Sequence, residues 1–101
     1  MKIHDIISDN LRDILIWFSA NDYEPWETKA QLASFQDWNQ ITAGKQELRQ
    51  IIDKRLWSQR FYLGLTGFEF KSEDDFYTYL EEVFQYVFND GPLPDIEKYW
   101  Y

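Results

Sequence analysis

The residues best equipped for chemistry lie between positions 72 and 92, SEDDFYTYLEEVFQYVFNDGP, where carboxylates are interleaved with aromatic rings. The adjacent acids Asp74 with Asp75 and Glu81 with Glu82 invite a general acid–base or metal-binding reading. Neighbours on a helix point about 100° apart, however, so neither pair converges on one proton or one ion. His4 is the only histidine and there is no cysteine, which removes the usual pairings that activate a nucleophile. Gly64 and Gly67 lack the lysine and the length of a phosphate loop and read as turn chemistry. The expectation is a binding protein, not an enzyme, with no cofactor and no metal site.

Charge narrows the class of partner. Over 101 residues the net charge is −8, and residues 69–101 alone hold nine acids against two bases. Such a surface repels phosphate backbones and anionic membranes and attracts a basic protein. One basic island opposes it. Residues 45–60 (KQELRQIIDKRLWSQR) carry five bases and two acids, and read as an internal counter-charge to the acidic helices or a self-association face, ahead of a nucleic-acid contact with Trp57, Phe61 and Tyr62 stacking on bases.

The elements that position these groups follow from apolar spacing. Ile3, Ile6, Ile7, Leu11, Ile14, Leu15 and Phe18 recur at helical intervals, predicting a first helix that ends near residues 19–22 before NDYEP. Its stripe accounts equally for core burial and for self-association, so homo-oligomerisation is not specifically indicated. A short second helix is expected over Trp26–Gln40, with Thr28 as a cap. After a break at Gly44, Leu48, Ile51, Ile52 and Leu56 define a third helix over Lys45–Arg60. FYLGLTGFEF, residues 61–70, has the aromatic and glycine content of a short hairpin, a strand or a packed extended loop. Ser72 as N-cap, acids in the first turn, and Gly91 with Pro92 at the end delimit the last helix. The fold class is therefore mainly α, a single small domain (1–101) of about four helices with a short β element allowed around residues 61–70.

The 45% hydrophobic and 20% aromatic content is that of a folded chain. The longest apolar run, Ile14–Phe18, is far short of the roughly 20 residues that span a bilayer, and MKIHDIISDN has acids where a secretory signal is apolar. No cysteine fits a reducing compartment. These readings predict a cytoplasmic protein without a membrane partner.

On the last helix the apolar arc covers about 200°, wider than one core face. Val83, Phe76, Val87 and Leu80 sit at its centre. Tyr77 and Phe88 form one edge beside Glu81 and Asp74, and Tyr79 and Tyr86 form the other beside Asp75 and Glu82. Either the helix is central and its border rings are covered, or one border is an exposed patch of rings ringed by acids, a composition suited to protein recognition. The second case nominates Asp74, Asp75, Glu81 and Glu82 for charge, with Tyr77, Phe88 and Trp100 as ring anchors.

The segments SEDDFYTYLEE and DGPLPDIEKYWY, together with the net charge, give the chain a character that resembles the small immunity proteins that bacteria make against their own secreted toxins, including nuclease colicins and contact-dependent growth inhibition toxins. The resemblance is one of charge and composition, and no site residue is carried over by position. It implies binding to a basic toxin domain, a nuclease above all, and blockage of its active site or a neighbouring surface. Two other classes share parts of this pattern. A phage-type inhibitor of a defence enzyme would lay carboxylates across a broad face as an acidic mimic of nucleic acid, and a non-inhibitory adaptor or ligand-binding domain would hold a closed apolar pocket.

Overall fold

The computed structural model describes residues 5–20, 22–34 and 38–99. These form five α-helices, α1 (Asp9–Leu15), α2 (Pro25–Ser34), α3 (Trp38–Lys54), α4 (Gln59–Thr66) and α5 (Glu73–Asn89). A two-residue antiparallel ribbon joins α1 to α2, β1 (Phe18–Ser19) pairing with β2 (Asp22–Tyr23) in the register Phe18 to Tyr23. A 3-10 turn at Ile96–Lys98 closes the described chain. The fold is mainly helical and forms one small domain around one core, as the apolar spacing predicts. None of the helices among the described residues is long and apolar enough to cross a membrane.

α5 is the central element. Its residues Phe76, Tyr77, Tyr79, Leu80, Val83, Phe84, Tyr86 and Val87 are all buried, so of the 200° arc only Phe88 at one edge is left half-buried. Ser72 caps the helix as expected, its hydroxyl accepting from the Asp75 amide at 3.1 Å. At the other end Asp90, not Gly91, takes the left-handed conformation (φ 56°), and the Gly91 amide then donates back to the Gln85 carbonyl at 2.8 Å. A Cβ on Gly91 would lie 2.9 Å from that of Gln85, so glycine is needed for close approach rather than for its torsion angle.

Several expected boundaries are corrected. The first helix begins at Asp9 and not at Ile3, which lies outside the described residues together with His4, and it ends at Leu15 rather than near residues 19–22, because Phe18 and Ser19 pair as β1. Ser8 stops it by capping the Leu11 amide at 3.2 Å, while its own amide and hydroxyl donate to Glu47 of α3. Ile6 is consequently 72% exposed instead of part of the stripe. Residues 5–8 form a strap in which Asp5 accepts from the Ser58 amide at 2.9 Å and the Ile6 carbonyl accepts from the Trp57 indole at 2.9 Å.

The second helix ends at Ser34 rather than Gln40, starting with Pro25 at its first position, where proline loses no hydrogen bond. Thr28 caps nothing in its own helix: its buried hydroxyl donates to the Ile14 carbonyl at 2.9 Å, satisfying an orphan acceptor at the end of α1. Gly44 is no break. It sits inside α3, where an added Cβ would stand 2.7 Å from Ile14 Cδ1, and its missing side chain lets α1 and α3 approach closely.

The β element foreseen around residues 61–70 is replaced by α4, and Arg60 belongs to this helix and not to α3. Ser58 caps α4 through the Phe61 amide at 3.1 Å, and Gly67 (φ 86°) ends it by donating to the Leu63 carbonyl at 2.7 Å. Capping at both ends outweighs the weak β preference of the rings between. Only 68–70 is extended, burying Phe68 and Phe70 on either side of exposed Glu69.

Candidate partner-binding face

The heptad geometry of α5 sorts its acids and border rings into two stripes. Positions 74, 77, 81, 84 and 88 share one edge, and 75, 79, 82 and 86 the other. On the first stripe the basic island, through Arg49 of α3 and Arg55 just after it, supplies a counter-charge. Arg49 holds Glu81 through two hydrogen bonds of 2.8 and 2.7 Å, bonds Asp53 at 2.8 Å, and lies 4.7 Å from the centre of the Phe84 ring. Arg55 pairs with Asp74 at 2.9 Å and Glu73 at 3.3 Å, its guanidinium 5.1 Å from the Tyr77 ring. The Arg49 bonds hold the Glu81 carboxyl below the usual value.

The same construction recurs at the C-terminal end of the second stripe. Lys29 of α2 pairs with Asp90 at 3.2 Å and sits 4.1 Å above the Tyr86 ring. Three cations of this chain thus each cover an α5 ring while pairing with an acid beside it, an arrangement in which the ring face and the carboxylate attract the cation together. This explains the pairing of rings with carboxylates that the sequence displays.

Asp75 and Glu82 are handled differently. Among the described residues no lysine or arginine pairs with either. Instead the tail returns over this edge, placing the Tyr99 ring 6.2 Å from that of buried Tyr79, and the Tyr99 hydroxyl donates to Glu82. The Lys71 amide fixes the turn by donating to the Tyr99 carbonyl at 3.1 Å. The bond to Glu82, then burial, then the charges of Glu82, Asp75 and Asp95 push the Tyr99 pKa up to about 12. Behind it the Tyr23 and Tyr79 hydroxyls lie 3.1 Å apart, and burial raises Tyr23, with Asp95 and Glu82 adding to the rise. Glu82 thus bonds half-buried Tyr99 directly, and the charges of Asp75 and Asp95 act on the same hydroxyl from further off. Glu97 and Leu93, both exposed, belong to the same tail segment.

The nominated residues separate accordingly. Asp75 and Glu82 share this face. Asp74 and Glu81 lie on the other stripe, paired to Arg55 and Arg49. Tyr77 is 4% exposed and cannot anchor a partner: its hydroxyl donates to the Trp57 carbonyl at 2.6 Å and accepts from the Trp57 amide at 3.0 Å, closing the α3–α4 connection. Phe88 is half-buried with its ring 5.3 Å from that of Phe84. Trp100 lies outside the described residues. Asp95 and Tyr99 are not among the residues nominated from the sequence; the apolar end of DIEKYWY is a signal for Tyr99, and Asp95 has none. No group of three histidines, cysteines or carboxylates among the described residues has an arrangement suited to a metal ion. Comparison with protein-family models, curated proteins and solved structures returned no match.

Proposed function

We propose that the chain is an immunity-type inhibitor, a small acidic protein of the cytoplasm that binds a basic toxin domain, a nuclease being the class of partner its charge fits best. The observation that carries this reading is the contrast between the two edges of α5. Asp74 and Glu81 are held by the chain's own arginines, whereas Asp75, Glu82 and Asp95 lie on the side of Tyr99 and, among the described residues, none of them is paired to a lysine or arginine. Gathering like charges is unfavourable in the isolated protein and favourable once a basic side chain enters, so the face gains from a partner what α3 already gives the other edge.

Two steps follow from this arrangement. The acid-rich C-terminal third steers a cationic surface inward, an effect worth roughly 10- to 1000-fold in association rate at low salt. Arginine or lysine side chains of the partner then pair with Asp75, Glu82 and Asp95 beside Tyr99, repeating in trans the cation, carboxylate and ring contact that Arg49 makes within the chain. A nuclease surface that binds phosphates presents such side chains, and occupying them excludes nucleic acid.

The test is capture of partners by the tagged chain from cells expressing its genetic neighbours, at low and then high salt, with the bound protein assayed for nuclease activity. Recovery of a basic protein, held more weakly as salt rises and inactive while bound, is the expected result. Recovery of only neutral or acidic partners, held equally at both salts, refutes the reading.

A further inference from the structure

A second binding feature lies away from α5 and the tail. Where α1 gives way to β1, Phe18 enters the core while Trp17, in the turn, and Ser19, in the strand, stay half-buried. These two, with Arg12, Leu15, Ile16 and Leu65, line an open cavity of about 450 Å³. That volume falls within the range of roughly 300–1,000 Å³ typical of small-molecule sites.

The polar groups of this cavity are committed to the fold, with one exception. The Trp17 indole donates to Gln31 at 3.0 Å, and the Ser19 hydroxyl donates to the Thr66 carbonyl at 3.3 Å. The Arg12 guanidinium makes no hydrogen bond or ion pair among the described residues, even though Asp9 precedes it by one helical turn and acids far outnumber bases in the chain. Ile16, 56% exposed, forms an apolar wall at the mouth. An apolar cavity carrying a single uncommitted guanidinium at its edge is complementary to a molecule with an apolar body and one terminal carboxylate, since guanidinium binds carboxylate with fixed, two-pronged geometry.

We infer that the cavity bounded by Arg12, Ile16, Trp17 and Leu65 is a binding site for small apolar carboxylates, Arg12 recognising the acid group. The inference is independent of the proposed partner-binding face, because none of its residues lies on α5 or in the tail. The probe is sodium octanoate, with 1-octanol as the neutral control of equal chain length, titrated into the isotopically labelled chain and followed by NMR.

Saturable shifts at the Trp17 indole N–H and the Ile16 and Leu65 methyl groups are expected. Octanoate binds about tenfold more tightly than octanol, the size of one modest charge-assisted hydrogen bond. Arg12→Gln, at an exposed position, removes that preference while leaving octanol affinity unchanged, and Ile16→Ser weakens both. Shifts that do not saturate at these groups, equal affinity for the two probes, or a preference that survives Arg12→Gln would each overturn the inference.

Discussion

Replacing Tyr77 with phenylalanine separates a core role from a partner-binding role at one residue. The substitution removes a single oxygen and keeps the ring on which Arg55 rests. That oxygen accepts from the Trp57 amide at 3.0 Å and donates to the Trp57 carbonyl at 2.6 Å, both in buried surroundings. Its loss leaves two buried main-chain groups without partners, each at a cost of about 1–3 kcal/mol, softened where the loop relaxes. A total of about 2–4 kcal/mol is expected, a substantial part of the roughly 5–15 kcal/mol that holds a small domain together. Urea unfolding followed by circular dichroism should move its midpoint down by about 1–2 M, and the melting temperature should fall by roughly 10–25 °C. Hydrogen exchange at the Trp57 amide provides the local check, since its protection should fall by more than the global loss. A variant within about 0.5 kcal/mol of the parent, the range of an ordinary surface substitution, would refute the assignment of Tyr77 to the core.

Three further outcomes are expected. Arg49→Met should destabilise the chain by about 1–2 kcal/mol at neutral pH through loss of the Glu81 pair and the contact with Phe84. Because Arg49 depresses the Glu81 pKa, the ion-pair part of that loss is present above the ordinary value near 4.5 and disappears as pH falls through the folded value, so urea titrations of parent and variant at pH 7 and pH 3 should show the gap narrowing. Gly44→Ala should cost about 1–3 kcal/mol through its collision with Ile14, measured by the same unfolding curves, and Ile14→Val in that background should recover part of it. Tyr99, raised to about 12 chiefly by its bond to Glu82, stabilises the fold below its ordinary pKa of 10.0 and loses that contribution as pH climbs from 10 through 12; ultraviolet titration of Glu82→Gln should show one tyrosine returning toward the ordinary value.

Much of this organisation was legible in the residues. The 3.6-residue spacing and the Ser72 cap located α5 to within a residue at its start, because caps and amphipathic stripes act locally. The counter-charge role of residues 45–60 was one of the readings their charge allowed, and it is realised by Arg49 on α3 and Arg55 in the turn just after it. What escaped were features settled by tertiary contact. Gly44 reads as a break until Ile14 is seen against it, and FYLGLTGFEF reads as β until Ser58 and Gly67 are recognised as the two ends of a helix. Ile6 fits the helical stripe by position, yet Ser8 starts the helix after it because Glu47 of α3 reaches that serine. For the site, sequence spacing could name two acidic borders on α5 but could not choose between them. The choice depends on where α2 and α3 deliver Lys29, Arg49 and Arg55, and on the tail folding back to set Tyr99 and Asp95 beside Asp75 and Glu82.

The most direct test of the partner-binding face compares two paired variants for association with the captured basic partner, by surface-based kinetics at low and at physiological salt. Asp75→Asn with Asp95→Asn changes the face around Tyr99, and Asp74→Asn with Glu81→Gln removes the same charge from the edge already held by arginines. The first pair should slow association several-fold at low salt and flatten its salt dependence, with the second pair within twofold of the parent. Equal slowing by both pairs, or a larger effect from the second, would contradict the assignment of the Asp75, Glu82 and Asp95 face as the docking surface.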